Sequence, residues 1–370
     1  MIKEISLKNF KTFDDEVFNI APLTLIMGIN GMGKSSILQS LLLLKQNYAN
    51  ESFNREQKTA RLEGDFVSLE DSQSLCYTWA DDRKVEIALE LEDSTSKWVL
   101  NAEDDDNADL PCVYVGDENT AKSVFGEGFV FLSADRLLPK KEYVINSART
   151  FNTKLGINGE LTPGYLYKAL NTNEEIAISG MANPENTGVD KQLVNNVNAW
   201  MSWIMSMPMS ATTEQIDSQR VRMLYSIGGV EGENYSPLQV GFGLTYTLPI
   251  VTALLIAKPG DVILMENPEA HLHPSAQVRL GQMIAKTVSL GVQVIAETHS
   301  DHIINGVRLA RKENVLKTDS DVNLIFVQRK ECNGKLVSYV NDVQLNDSGK
   351  FSEPLPPMFN TWKDTLVKLL

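Results

Sequence analysis

The segment Gly28-Ile-Asn-Gly-Met-Gly33-Lys34-Ser35 constrains this chain more than any other. It fits G-x-x-x-x-G-K-[ST], a loop that wraps the phosphates of a nucleoside triphosphate. Its glycines let successive main-chain N–H groups turn inward as a nest for oxyanions. Leu23-Thr-Leu-Ile-Met27 reads as a buried strand entering the loop, and Ser36 to Lys45 as the helix leaving it. The helix N-terminus then faces the phosphates. Gly28, Asn30, Gly31, Gly33, Lys34, Ser35 and Ser36 are therefore the candidate phosphate-binding residues. Lys34 is expected to reach the β- and γ-phosphates of the nucleotide, and the Ser35 hydroxyl to ligate Mg²⁺.

A second group of motifs lies far downstream. Val262-Ile-Leu-Met265 reads as a buried strand that delivers Glu266-Asn267-Pro268-Glu269. An acid at the end of such a strand holds Mg²⁺ in P-loop enzymes, so Glu266 is the second candidate metal ligand. Upstream, Gly241-Phe-Gly243-Leu-Thr245 is a glycine turn opening a helix, another anion-binding device. Downstream, the strand Val292–Ala296 ends in Glu297-Thr-His299-Ser-Asp-His302, where His299 is placed to sense a γ-phosphate. Most of the chain separates Lys34 from Glu266, so a large insertion must interrupt the nucleotide-binding core.

The remaining pattern outlines the architecture. Lys84–Glu92 alternates strictly, as a half-buried antiparallel strand does, and Trp98–Leu100 is expected to pair with it. Leu193, Val194, Val197, Trp200, Met201 and Ile204 recur at helical spacing. Met201, Met205, Met207 and Met209 read either as core filler or as a partner groove. The strands at 262–265 and 292–296 flank a helix from about Pro274 to Leu290, which is βαβ logic and implies a parallel sheet. The expected fold is α/β: a P-loop core with a mixed sheet, an antiparallel β lobe and a helical insertion. The expected divisions are 1–64 and 236–311 for the two halves of the core, 65–127 for the β lobe and 128–149 for a core strand and its loop. Residues 150–235 form the insertion, and 312–370 a small C-terminal region with two strands and a short last helix. The acidic run around Asp104–Asp106 reads as a solvated loop.

The motif order closely resembles that of ABC-type ATPase heads, most of all the OLD/RecF/SMC branch. The opening Ile5-Ser-Leu-Lys-Asn9-Phe10-Lys11-Thr-Phe13 is similar to the start of that branch. Leu132-Ser-Ala-Asp-Arg136, Gly241-Phe-Gly243, Glu266–Pro274 and Glu297–Asn305 resemble a bacterial AAA-type subgroup with a C-terminal domain of unknown function, often encoded in anti-phage defence loci. The resemblance implies a homodimer or higher oligomer in which two heads sandwich ATP. Gly241, Gly243 and Thr245 would cap the γ-phosphate in trans, and Ala270-His271 would cross the seam. It further implies a separate effector, a nuclease or toxin, controlled by the ATP cycle. ABC heads carry a glutamate after the metal-binding acid, whereas this chain has Asn267. An amide orients water but accepts no proton, so Asn267, Glu269 and His299 join Glu266 as candidate catalytic residues. Arg136 is read as reaching the nucleotide or the Gly241–Thr245 turn, the signature of such heads, or as bracing two lobes; Phe10 or Lys11 is the analogy's candidate for the adenine.

Composition narrows the alternatives. The net charge of −14 does not point to DNA, which is bound by neutralising phosphates. The basic clusters Arg136–Lys141 and Arg308–Lys312 are short. A DNA-structure ATPase and a non-hydrolysing nucleotide sensor, the latter motivated by Asn267, stand as alternatives. Four histidines at 271, 273, 299 and 302 raise zinc, but their spacing matches no closed zinc pattern. Asp319-Ser-Asp321 precedes a strand rather than following one, which argues against an intrinsic nuclease. Three scattered cysteines and no apolar run near ~18 residues point to a cytoplasmic protein without a membrane span.

Overall fold

A computed structural model of the chain describes residues 1–49, 58–103, 109–145, 153–183, 190–229 and 233–355. The acidic run at 104–106 and the expected last helix lie outside them.

The central sheet has six strands in the order β15-β14-β3-β13-β12-β8. These are β3 (Leu23–Gly28), β8 (Phe129–Leu132), β12 (Val262–Glu266), β13 (Gln293–Glu297), β14 (Val322–Cys332) and β15 (Lys335–Val343). All neighbours pair in parallel except β14 and β15. The sheet is therefore mixed, with one antiparallel strand at its edge. The inner strands are apolar on both faces, as a doubly covered parallel sheet requires. Leu23, Leu25 and Met27 enter one hydrophobic core and Ile26 the other.

On the first face pack α4 (Thr162–Thr172), α5 (Leu193–Met205), α6 (Phe242–Ile256), α7 (Pro274–Ser289) and α8 (Asp301–Lys312). A three-stranded sheet ordered β10-β11-β9 borders them: β9 (Tyr143–Val144), β10 (Met209–Gln215) and β11 (Arg220–Ile227). Met201 and Met209 are buried and Met205 and Met207 pack beside them, so the methionine cluster is core filler.

On the second face lies α1 (Lys34–Ala49), covered in turn by a six-stranded sheet ordered β2-β1-β5-β6-β7-β4. Its strands are β1 (Ile2–Phe10), β2 (Phe13–Asn19), β4 (Thr59–Arg61), β5 (Lys84–Leu91), β6 (Thr95–Asn101) and β7 (Asp109–Gly116). The expected pairing of 84–92 with 98–100 is present, with Ile87 opposite Trp98. The first two strands, which precede the P-loop, join this sheet rather than the central one. The short α2 (Ser72–Leu75) and α3 (Glu118–Phe125) complete it.

Because α1 lies between two sheets, it is buried nearly all round, its polar Ser36, Ser40, Lys45, Gln46 and Asn47 included. Lys45 is buried within it and donates to Phe125 O at 2.8 Å and Gly126 O at 3.3 Å. Burial pushes its ammonium down to about 8. Between that value and the ordinary 10.5, the unfolded chain holds more proton on Lys45 than the folded chain does. Stability measured against Lys45→Met should therefore rise as pH increases from about 8 to 10.5. Denaturant titrations of both proteins across that window test this, and a flat difference would contradict it.

Candidate functional site

The parallel strands β3, β12 and β13 end side by side, and their C-terminal ends assemble the site. Ligands of open α/β sheets bind in this position. The loop after β3 carries Gly28, Asn30, Gly31, Gly33, Lys34, Ser35 and Ser36 into the start of α1. Gly33 has φ +110°, and a Cβ there would lie 2.4 Å from Thr12 Oγ1, so only glycine closes the loop against the β1–β2 turn. Gly31 also has positive φ and faces open space. The loop opens onto a cleft of about 450 Å³, lined by Lys11, Thr12, Lys34, Ser35, Gln73 and Thr78 among others. Phe10, one of the two adenine candidates, is fully buried in the second core and cannot stack on a base. Lys11 lines the cleft and donates to Gln39 Oε1 at 2.7 Å.

Lys34 is buried, with 4% of its side chain exposed, and donates to Ile29 O at 3.1 Å. Its ammonium lies 3.8 Å from Glu297 Oε1, and Ser35 Oγ donates to Glu297 Oε2 at 2.8 Å. Burial lowers Lys34 from its ordinary value, with Glu297 opposing the shift. In the sequence Glu297 only opens the motif that carries His299, yet in the structure it touches both Lys34 and Ser35. The available signal was an acid at the end of the strand beside the Glu266 strand.

Glu266 is the in-register neighbour of Glu297 at the ends of β12 and β13. Its Oε2 accepts from Ala134 N at 2.9 Å. Both carboxyls are raised above the usual carboxylate range, chiefly by burial; Glu297 pushes Glu266 up further. This is a hard-oxygen donor set, one hydroxyl and two neighbouring carboxylates, which suits Mg²⁺ completed by phosphate oxygens.

Asn267 follows with φ +43°, a left-handed turn that asparagine tolerates. Its N–H donates to Glu297 O at 2.8 Å, and its buried Oδ1 has no partner among the described residues. Glu269 accepts from Thr298 Oγ1 and from His299 N, each at 2.7 Å, so both of its oxygens brace the segment that follows β13. The His299 ring is exposed; partial burial, with Lys34 nearby, holds it below its ordinary value.

Arg136 holds the turn that follows β12. Its Nη2 donates to Glu266 O and to Asn267 O, gripping the main chain of that turn. Burial brings the guanidinium down to about 10, opposed by Glu269 and Glu266.

The signature turn divides. Gly241 and Phe242 are exposed, and Phe242 packs on His271 with ring centroids 5.4 Å apart. A Cβ on Gly243 would meet His271 O at 2.6 Å. The turn and the Ala270-His271 loop thus form one surface. Thr245 departs from expectation: it is wholly buried in α6 beside the Tyr225 hydroxyl, so its hydroxyl faces the interior rather than a second chain.

The four histidines serve separate places. His271 packs on Phe242 and Tyr246, His273 caps α7, and His299 and His302 flank the start of α8. Among the described residues, no group of three or more His, Cys, Asp or Glu side chains is placed to hold a metal ion. Asp319 binds Arg311 Nη2 at 2.6 Å, and Asp321 closes a capping box with Thr318, so that pair of acids is structural. In the basic cluster nearby, Arg308 binds Gly349 O and Arg311 is buried. No helix among the described residues is long and apolar enough to cross a membrane.

The family model described as "AAA ATPase domain" matches residues 1–126 and 135–304. Among solved structures, the chain is similar to an SMC head bound to the C-terminal winged-helix domain of ScpA: 16% identity and TM-score 0.55, covering 94% of this chain and 98% of that one. It is similar also to an SMC head with an extended coiled coil, bound to the C-terminal domain of ScpA, from Pyrococcus furiosus: 13% identity and TM-score 0.54, covering 100% and 99%. At these identities the likeness concerns the fold, which is that of an ABC-type ATPase head. None of the curated proteins matches.

Proposed function

This chain belongs to the AAA ATPase domain family, and from that membership we propose that it is an ATP-driven, OLD-type conformational switch. Its ATP cycle would control a partner effector, a nuclease or toxin, in bacterial anti-phage defence. One observation carries the nucleotide reading: Lys34 and Ser35 converge on the acidic ends of β12 and β13. The motif resemblance supports the branch and the defence setting.

Mg²⁺ and ATP, when bound, supply the electrophilic phosphoryl group and the neutralising charge. The chain supplies the rest. Main-chain N–H groups from Gly28 to Ser36 hold the phosphates, and Lys34 neutralises the terminal charge. Ser35 and Glu266 hold the metal. The free Oδ1 of Asn267 accepts from a water and orients it. Glu269 fixes the backbone beneath His299, which reads the γ-phosphate. The exposed surface of Gly241, Phe242 and His271 would close over the nucleotide of a second copy, so occupancy is coupled to dimerisation. Isothermal calorimetry with Mg·ATP, phosphate release and light scattering test this reading. Absence of binding heat would refute it, and dimers without phosphate release would favour the sensor.

The fold likeness to SMC heads is equally consistent with a RecF/SMC-type ATPase acting directly on DNA. Salt-dependent DNA binding by the isolated chain would favour that alternative. Gly243→Val separates binding from closure. Its side chain would collide with His271 O, so ATP-induced dimerisation should fall at least ~10-fold while monomer affinity for ATP stays within about 3-fold. Sedimentation velocity with and without Mg·ATP reads the first quantity and calorimetry the second.

A further inference from the structure

Glu297 is the acid closest to the P-loop side chains, and its position calls for a role that the motif order does not supply. It sits at the last residue of β13, between the P-loop strand and the Glu266 strand. One oxygen takes the Ser35 hydroxyl at 2.8 Å and the other faces the Lys34 ammonium at 3.8 Å. Its side chain is only 8% exposed. Glu266, its lateral neighbour, is tied instead to Ala134 N, on the side of β8.

Resting on the nucleotide-binding reading above, we infer that Glu297 is a second acidic ligand of the Mg²⁺ that accompanies the nucleotide, sharing the ion with Ser35 and Glu266. Mg²⁺ sites beside phosphates are built from one or two carboxylates, with waters and phosphate oxygens filling the octahedron. Ser35 is the group through which the ion would be shared, and Glu297 already holds that hydroxyl. The same carboxylate restrains Lys34 before nucleotide arrives. The lysine and the metal therefore compete for Glu297, and a divalent ion that takes the carboxylate frees the ammonium for phosphate. This couples metal binding to the charge that grips the nucleotide.

The test uses the full chain, a non-hydrolysable ATP analogue (the β,γ-imido form), and fluorescence or calorimetric affinities measured in Mg²⁺ or in EDTA. In the wild type, Mg²⁺ should tighten the analogue at least ~10-fold. In Glu297→Gln that gain should shrink to below about 3-fold, while affinity in EDTA is equal or higher because Lys34 is released. Glu297→Asp should restore part of the gain. Equal thermal unfolding midpoints for wild type and Glu297→Gln, or a partial rescue by Glu297→Asp, show that the fold is retained. A full Mg²⁺ gain in Glu297→Gln overturns the inference. Loss of affinity in EDTA by that variant also overturns it, by making Glu297 a nucleotide contact rather than a metal ligand. If the wild type itself binds no nucleotide, it is the underlying reading that fails, and the two failures are distinguishable.

Discussion

Replacing Lys34 with alanine should abolish the heat of Mg·ATP binding and lower any turnover by ~10²-fold or more. The expectation follows from where the ammonium lies. It is buried at the mouth of the loop, pinned by Ile29 O and paired with Glu297, so no neighbouring lysine can take its place. Lys11, the other cation lining the cleft, is engaged with Gln39. The substitution has a second effect. It leaves the Glu297 carboxylate beside Glu266 with the Ser35 hydroxyl and no cation. A buried group that loses its partner costs roughly 1–3 kcal/mol. The apo variant should therefore melt below the wild type in differential scanning calorimetry. Unchanged binding heat in Lys34→Ala would remove the loop from the nucleotide site altogether.

Much of this arrangement was legible because the chemistry is local. A loop of glycines needs its Lys and Ser within one helical turn, so Gly28–Ser36 reads directly from the chain. The strand ends at Glu266 and Glu297 were legible as strand ends because continuous apolar runs precede them. What could not be read was the pairing between strands. β1 alternates as an antiparallel strand should, but nothing in Ile2–Phe10 says that it leaves the central sheet for the lobe. The lateral order placing β13 between β3 and β12 likewise sets Glu297, rather than Glu266, against Ser35. Thr245 misled for a different reason. A threonine in a helix can hide its hydroxyl, as Thr247 does on Gly243 O and Thr252 on Leu248 O, so a polar residue type does not mark an exposed face. From Leu244 onward α6 is buried on every side, and there residue type carries no facing information.

Arg136 should be the most damaging position outside the P-loop. Its guanidinium is 1% exposed and donates to two consecutive carbonyls, Glu266 O and Asn267 O. Those carbonyls bound the left-handed turn at Asn267 that sends Glu269 back to His299 N. Among the described residues its buried Nε and Nη1 have no partner, so the side chain is held charged against an unfavourable environment. With its value brought down only to about 10, it stays protonated at neutral pH. That cost is consistent with a residue kept for geometry rather than for stability alone. Arg136→Ala strands both carbonyls and opens a void, and should lose about 3–5 kcal/mol in urea unfolding. Arg136→Lys is the sharper test. It keeps a cation but lacks the planar fork, so a single ammonium cannot reproduce the grip on both carbonyls. It should recover much of the stability while turnover remains at least ~10-fold below the wild type, with the Kd for Mg·ATP within about 3-fold. A lysine variant with full turnover would show that the Asn267 turn holds its shape without the arginine, and would separate Arg136 from catalysis.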